Sequence, residues 1–335
     1  MDRRRRLRRP QRCGGKPERS RRPIERLQGS GSGDGVCRQP RQGAQEAGAA
    51  LSMGSGPPII LVGTQRSSTT WFGRMFSAHP DLAYWVEPRH VWTWGNSYLP
   101  DDRLTEEHAR PRVQRHIRAV FDRFVRRRGK SRLCEKTPSN CLRLPFIHAV
   151  YPDAKIVLIV RDGRSVIRST AEVMGKGVPT GRILQRALQT PPWEWPAYVP
   201  RAGRTLQRKI TRKPLDYWGP RPPGWSEWRG KDSTNVMLAR QWASTIHIAV
   251  EDANRLGPDV VHMIRYENMM RSPRETMQGV IDYVELPGSE HIVEEVVNSV
   301  DPSRQRKWRN VLTEETLEEI RPHMEPTLDW LGYEW

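Results

Sequence analysis

The chain has 335 residues, of which 36% are hydrophobic, and it carries a formal net charge of +18. Residues 1–56 hold half of that charge, because they contain 14 Arg or Lys and 5 Asp or Glu, a net of +9 (14 − 5). The chain has no run of about 18 apolar residues, and no apolar segment follows its arginine-rich start. We therefore expect neither a membrane-spanning helix nor a secretory signal.

Residues 1–56 are rich in Arg, Gly, Gln, Ser and Pro and have almost no large apolar side chains. Such a segment buries too little surface to offset the entropy cost of ordering it. Three interpretations stay open: a disordered basic tail, an untranslated stretch ahead of a true start at Met53, or an arm that binds nucleic acid or a membrane surface. The folded domain is predicted to cover residues 57–335.

The cysteines bear on metal binding and on the cellular compartment. None of the four stands in a Cys-x-x-Cys pair or beside histidines at zinc-ligand spacing. We therefore predict no metal site and a reducing, cytoplasmic location, which the lack of an Asn-x-Ser/Thr site also favours. The four are Cys13, Cys37, Cys134 and Cys141.

The first predicted strand, residues 59–62, runs into the sequence GTQRSSTTW at residues 63–71, and a helix is predicted over residues 69–78. A small-residue turn between a strand and a helix points backbone N–H groups at an anion, and the helix N-terminus adds partial positive charge. The loop that binds nucleoside triphosphates usually ends in Gly-Lys-Ser/Thr, and this one does not. The turn therefore predicts an anion site that differs from the usual Mg-ATP loop.

Downstream, apolar periodicity predicts alternating strands and helices. Such alternation indicates an α/β fold, a P-loop-like parallel sheet in one domain with helices on both faces. Ligands bind such sheets at the carboxyl ends of the strands. The 63–71 loop and a second turn at residues 160–164 both lie there, which suggests a ligand with two phosphates. The predicted strands are 132–134, 155–160 and 260–264, and the helices 113–127, 142–150, 164–174, 236–255, 273–284 and 313–320.

Residues 175–232 interrupt this alternation with nine prolines and five tryptophans. Long irregular segments are usually functional lids or disordered, and so many tryptophans argue against disorder. We interpret the segment as an insertion on the acceptor side that covers the substrate. An ordered structural excursion or a dimer contact is the alternative.

Four motifs in chain order resemble those of the sulfotransferases that use PAPS (3′-phosphoadenosine 5′-phosphosulfate), and are most similar to the bacterial and tyrosylprotein branch. They are the 63–71 loop followed by AHPDL at residues 78–82, CEKTP at 134–138, YPDAKIVLIVRDGR at 151–164, and RYEN at 265–268 with KWR at 307–309. The resemblance covers the chain from about Pro57 onward. It implies a sulfuryl transfer from PAPS without a metal ion.

The resemblance also implies which residues bind the donor. Arg66 and the loop that follows would hold the 5′-phosphate, and Lys136 would contact the sulfuryl group or the bridging oxygen. The 3′-phosphate would be bound by Arg161 and Ser169, and the 307–309 segment would close over the cofactor. The remaining donor residues are Ser67, Ser68, Thr69, Thr70, Trp71, Lys307, Trp308 and Arg309.

Ser68 departs from the family pattern, which has glycine at this position. Glycine lets a backbone approach a phosphate closely and tolerates a positive φ. Two outcomes stay open: Ser68 keeps a negative φ and donates its hydroxyl, or it narrows the loop and weakens donor binding.

The acceptor must lose a proton, so a general base is required. By resemblance this base is Glu87, and the flanking Tyr84 and Trp85 are expected to desolvate it and raise its pKa. A loop carboxylate that only pairs with Arg89, or His90 as the base, are the alternatives.

The acceptor itself stays open between a carbohydrate, a small metabolite and a peptide tyrosine, with a hydroxyl preferred over an amine. Three other functions are weighed. A P-loop kinase would need a lysine and a magnesium-binding hydroxyl in the first loop, and the loop has Arg66 instead. The second is a catalytically inactive anion-binding protein. The third is a nucleic-acid-binding protein, whose basic tail would bind nucleic acid with a steep salt dependence.

Overall fold

The computed structural model describes residues 56–176, Gly203 and residues 216–335. The predicted basic tail, including Met53, lies outside the described residues, as do Cys13, Cys37 and most of the 175–232 insertion. Within the described residues, no helix combines the length and apolarity that a membrane crossing requires.

Five parallel strands form the sheet: β1 (Ile59–Gly63), β2 (Leu82–Val86), β3 (Arg132–Lys136), β4 (Lys155–Val160) and β5 (Val261–Arg265). Their order across the sheet is β2-β3-β1-β4-β5. The central strand β1 is buried along its whole length, which explains why it reads as a continuous apolar run rather than an alternating one.

Helices cover both faces of this sheet, as predicted. Side chains alternate along a strand, so Ile60 and Val62 pack into one apolar cluster while Ile59 and Leu61 pack into the other. Complete burial of such aliphatic side chains stabilises the fold by about 1.5–3 kcal/mol each. The helices are α1 (Thr69–Ser77), α2 (Arg89–Trp92), α3 (Pro111–Arg127), α4 (Leu144–Val150), α5 (Gly163–Lys176), α6 (Trp225–Trp228), α7 (Thr234–Leu256), α8 (Tyr266–Arg271), α9 (Pro273–Val284), α10 (Glu290–Ser299) and α11 (Glu314–Trp330).

Two differences from the predicted elements matter for the site. The edge strand Leu82–Val86 was not predicted, and it delivers Glu87 to the carboxyl edge of the sheet. Strand β3 continues two residues beyond its predicted end, to Lys136. Both candidate catalytic residues therefore lie at the ends of neighbouring parallel strands, which pair Val86 with Lys136.

The last helix is also longer than the predicted 313–320 segment, since it runs to Trp330 through Pro322 and Pro326. Proline inside a helix removes a backbone hydrogen bond. A buried stripe at Ile320, Met324 and Leu328, each four residues apart, packs into the core and offsets this loss. Tertiary packing here outweighs local propensity.

Candidate active site

A cavity of about 690 Å³ lies at the carboxyl edge of the sheet. Strands β1, β3 and β4 end there, as parallel-sheet binding sites require. Most of the predicted site residues line it. They are Arg66, Ser68, Thr69, Thr70, Trp71, Glu87, Lys136, Arg161, Ser169, Lys307 and Trp308.

Two predicted residues do not line the cavity. Ser67 is fully buried, and its hydroxyl lies 2.6 Å from the Thr64 hydroxyl, so it shapes the loop from behind. Arg309 is exposed, and its guanidinium lies 5.3 Å from the centre of the Trp308 ring. Neither side chain is therefore placed to contact a molecule in the cavity.

The loop after β1 adopts left-handed backbone conformations at two non-glycine residues, Arg66 (φ 65°) and Ser68 (φ 64°). The expectation that Ser68 keeps a negative φ is therefore wrong. Its position still demands the backbone that the family meets with glycine, because left-handed residues turn successive N–H groups into one concavity. The Ser68 hydroxyl accepts a hydrogen bond from Arg161 Nη1 at 3.2 Å.

The two predicted anion sites are joined by direct contacts. Arg161 Nη1 donates to the Arg66 carbonyl oxygen at 2.9 Å, and Arg66 Nε donates to the Ser169 hydroxyl at 2.9 Å. The Arg161 guanidinium also stacks on Tyr266, 4.0 Å from the ring centre. Burial lowers the pKa of Arg161, but an arginine stays charged at neutral pH. The cavity is thus lined by two arginines, Arg66 and Arg161, that could bind an anion.

Lys136 lies between the 63–71 loop and the candidate base Glu87. Its side chain is only 1% exposed, and its ammonium nitrogen lies 3.1 Å from both the Thr70 hydroxyl and a Glu87 carboxylate oxygen. A buried ammonium is stable only with such partners. The other carboxylate oxygen of Glu87 faces Arg89 Nη2 at 3.4 Å.

The Glu87 backbone is held in an unusual conformation, with φ 53°. Its N–H donates to the Lys136 carbonyl oxygen at 2.8 Å, which continues the pairing of β2 with β3 past the end of the strands. Non-glycine residues in this region cost about 1–3 kcal/mol and cluster at functional sites. Of the four such residues in the described chain, Arg66, Ser68 and Glu87 all line the cavity.

Tyr84 and Trp85, expected to desolvate Glu87, each pack against one of the two core clusters. Trp85 stacks on Phe124 with 4.1 Å between ring centres, and Tyr84 packs with the opposite cluster. The Glu87 carboxylate therefore contacts the cations Lys136 and Arg89. Burial and the nearby His116 lower the pKa of His90, the alternative base, and His90 is not among the residues that line the cavity.

Glu135, the partner of Lys136 in the Glu-Lys motif, faces away from the cavity. It is completely buried and accepts hydrogen bonds from the Thr137 hydroxyl and from Asn140 Nδ2, the latter at 3.0 Å. Burial raises the pKa of its carboxyl group to about 8. Its role is to hold the end of β3 and so the backbone of Lys136.

Several residues of the cavity were not predicted from the sequence. Ser165, Arg168 and Glu172 line it together with Ser169, and their spacing of three or four residues places all four on one face of α5. Extending the face of Ser169 along the helix would have found them. Trp218, in the described part of the insertion, also lines the cavity.

The backbone at Trp218 is connected to the 63–71 loop by hydrogen bonds through Gln241. Gln241 is fully buried, and its Nε2 donates to the carbonyl oxygens of Trp218 at 2.9 Å and Pro220 at 2.8 Å. Its Oε1 accepts from Gln65 Nε2 at 2.5 Å. Gly219 passes between them with φ 105°, and a Cβ there would lie 3.1 Å from both amide groups. One buried amide thus links the two walls of the cavity.

Known proteins are similar to this chain over most of its described residues. A model of the sulfotransferase family matches residues 57–195 and 216–290. The protein-tyrosine sulfotransferase of Drosophila melanogaster is 22% identical over 254 residues, which cover 72% of this chain and 41% of that protein. A putative protein-tyrosine sulfotransferase of Caenorhabditis briggsae is 22% identical over 304 residues, covering 82% of this chain and 89% of that protein.

Two further similarities are more limited. Human protein-tyrosine sulfotransferase 1 is 30% identical over 123 residues, 34% of this chain and 33% of that protein. The sulfotransferase domain from the curacin biosynthetic pathway superposes with a TM-score of 0.48 at 14% identity, over 84% of this chain and 99% of that domain. The match of the family model to most of the folded chain is decisive: the chain belongs to the sulfotransferase family.

Proposed function

We propose that the protein binds PAPS in this cavity and transfers its sulfuryl group to an acceptor hydroxyl. Membership of the family supports the reaction class, and a cavity lined by two arginines, Arg66 and Arg161, suits a donor with phosphates at two positions. Arginine binds phosphate oxygens in pairs and keeps its charge. Arg66 and the loop would hold the 5′-phosphate, and Arg161 with Ser169 the 3′-phosphate.

The observation that carries the proposal is the position of Lys136. Its ammonium group bridges Thr70 of the loop and the Glu87 carboxylate at 3.1 Å each. A cation fixed there neutralises charge as it develops on the oxygen that leaves sulfur. The Glu87 carboxylate beside it lines the same cavity, which the acceptor would enter.

In the proposed reaction the sulfuryl group passes directly from PAPS to the acceptor oxygen. The acceptor oxygen forms a bond to sulfur while the bond from sulfur to the 5′-phosphate oxygen breaks, so adenosine 3′,5′-bisphosphate leaves. The acceptor proton passes to Glu87, and the negative charge on the leaving phosphate is met by Lys136, Arg66 and the loop N–H groups. General-base catalysis of this kind accounts for about 10²–10⁴-fold in rate.

A peptide tyrosine is the acceptor class that we propose first. The relatives named above are protein-tyrosine sulfotransferases, and Trp218 and Arg89 line the cavity. An indole ring packs well against a phenol ring. A carbohydrate or a small metabolite would use the same donor site and the same base.

The test incubates the full chain with PAPS and a tyrosine peptide, with the matching phenylalanine peptide as control. We expect a sulfated tyrosine by mass spectrometry, release of adenosine 3′,5′-bisphosphate, no product with Mg-ATP as donor, and the same rate in EDTA. Release with other hydroxyl acceptors but not with tyrosine would contradict only the acceptor. Release with none, from a protein that binds the bisphosphate, would favour the inactive alternative.

A further inference from the structure

Arg164, at the start of α5, is buried behind the donor side of the cavity. It is 4% exposed and pairs with Asp162, with Nε 3.0 Å from Oδ1 and Nη2 2.9 Å from Oδ2. Its guanidinium carbon lies 4.3 Å from the centre of the Trp308 ring and 5.3 Å from that of Trp335. One cation therefore contacts two indole rings that lie 27 residues apart in sequence (335 − 308).

Residues 331–335, which follow the last helix, are tied to the end of the sheet by their own contacts. Arg164 Nη2 donates to the Glu334 carbonyl oxygen at 2.8 Å. The Tyr333 hydroxyl donates to Glu267 Oε2 at 2.8 Å, and Glu267 Oε1 accepts from the Asp162 N–H at 3.1 Å. Arg164, Asp162 and Glu267 thus hold this segment in one place.

The other side of this cluster is the wall of the cavity. Trp308 is 6% exposed and lines the cavity together with Lys307. Ser165, the neighbour of Arg164, also lines the cavity, and its hydroxyl donates to the Gln305 carbonyl oxygen at 3.1 Å. The short turn that carries Lys307 and Trp308 is therefore attached to α5 through Arg164 and Ser165.

We propose that Trp335 is a positioning residue for donor binding. It holds the Arg164 guanidinium against Trp308, and Trp308 with Lys307 forms the wall that closes on the nucleotide. This inference rests on the proposed function, because it takes the wall at Trp308 to face the donor. Without Trp335 the Arg164 guanidinium keeps its pair with Asp162 but loses one of its two ring partners, so it is held less firmly against Trp308.

The test is calorimetric titration of the full chain with adenosine 3′,5′-bisphosphate. We expect Trp335→Ala to weaken binding by about tenfold, the range of a desolvated cation–π contact, and Trp335→Phe to restore most of it. Trp330→Ala is the matched control. Trp330 lies five residues away, is 45% exposed and contacts His247 at 4.6 Å between ring centres, so its loss should leave the affinity unchanged.

If Trp335 had a purely structural role, its substitution would lower the stability of the fold without this selective loss of affinity for the bisphosphate. Thermal unfolding of each variant is therefore measured beside the titration, and in turnover we expect Trp335→Ala to raise the KM for PAPS while kcat holds. Where Trp335→Ala does not fold, Trp335→Leu and Trp335→Phe are compared. Leucine keeps apolar bulk without an aromatic face, so tighter binding by the phenylalanine variant is the expected result.

The failure of this inference is distinct from failure of the proposed function. Equal affinity in the unchanged chain and in Trp335→Ala, or equal affinity in the leucine and phenylalanine variants, would overturn the positioning role alone. No binding of the bisphosphate by the unchanged chain would overturn the proposed donor and the inference with it.

Discussion

The ammonium nitrogen of Lys136 lies 3.1 Å from a carboxylate oxygen of Glu87, although the two residues stand 49 positions apart in the chain. They end adjacent parallel strands, and the Glu87 N–H donates to the Lys136 carbonyl oxygen at 2.8 Å. The backbone thus holds Glu87, the proposed base, beside the Lys136 cation. In the proposed reaction Glu87 accepts the proton while other residues bind the nucleotide, so variants can test the two roles independently.

Replacing Glu87 with glutamine should remove the base and keep the shape of the site. We expect Glu87→Gln to lower kcat by about 10²–10⁴-fold, while the affinity for adenosine 3′,5′-bisphosphate is retained. Steady-state rates and calorimetric titration check the two parts. Glu251→Gln is the control, since Glu251 is exposed on α7 and pairs with His247 at 3.2 Å. Loss of turnover in the control, or full turnover in Glu87→Gln, would contradict the assignment.

The left-handed backbone at Ser68 (φ 64°) makes two substitutions informative. Ser68→Gly removes the Cβ that is strained in this region, so we expect it to raise the free energy of unfolding by about 1 kcal/mol. Ser68→Ala keeps the strain and removes the hydroxyl that Arg161 contacts, so it should not stabilise. Urea unfolding of both variants measures the difference. A Ser68→Gly protein no more stable than Ser68→Ala would argue against strain at this residue.

Gly163 begins α5 where two other helices press against the turn. A Cβ at this position would lie 2.4 Å from a ring carbon of Trp242 and 2.4 Å from Met324 Cε. We expect Gly163→Ala to destabilise the fold by about 1–3 kcal/mol through overpacking. Gly279→Ala is the matched control, because a Cβ there meets nothing within 4 Å. Because glycine is less stable than alanine inside a helix, Gly279→Ala should raise the free energy of unfolding by about 0.5–1 kcal/mol. Equal effects of the two substitutions on urea unfolding would refute the packing account.

Asp102 pairs with two arginines, Arg221 Nη2 at 2.7 Å and Arg143 Nη2 at 3.3 Å. Its pair with Arg221 anchors the segment that follows Trp218. Burial alone would raise the pKa of this carboxyl group, but the charges of Arg221 and Arg143 and the hydrogen bonds from Arg221 outweigh burial and lower it to about 2. Because the folded-state pKa is below the unfolded value, the stabilisation is complete above the unfolded pKa and is lost as the pH falls toward 2.

Asp102→Asn should therefore cost about 3 kcal/mol at neutral pH, since it leaves two largely buried cations without their carboxylate. The gap in unfolding free energy between the unchanged chain and the variant should stay constant down to about pH 4 and narrow below it. Urea unfolding at a series of pH values gives the gap directly. A gap that is the same at every pH would mean that Asp102 does not titrate as described.

The elements that depend on local pattern were predictable from the sequence. The strand Lys155–Val160 and the helix Pro273–Val284 were predicted with the bounds observed, because an apolar run and an amphipathic repeat are local signals. Arg66, Lys136 and Arg161 were identified because the motifs that contain them resemble those of the sulfotransferases.

Features that depend on contacts distant in sequence were not predictable. The edge strand Leu82–Val86 gives a weak signal because two of its five residues are only half-buried. At Ser68 the signal for a left-handed backbone is the glycine of the family pattern, since the serine itself does not indicate this conformation. The contact of Trp335 with Arg164 joins residues 171 positions apart (335 − 164), and only the folded chain brings them together. The cytoplasmic location and the absence of a metal stay predictions.

The measurement that tests the central claim most directly is calorimetric titration of the full chain with adenosine 3′,5′-bisphosphate and, separately, with adenosine 5′-phosphate. If Arg161 binds a 3′-phosphate, the bisphosphate should bind at least tenfold more tightly, the value of one charge-assisted contact of about 1.5 kcal/mol. This preference should disappear in Arg161→Ala. Equal affinity for the two nucleotides would contradict a PAPS donor and return the kinase and binding-protein alternatives to consideration.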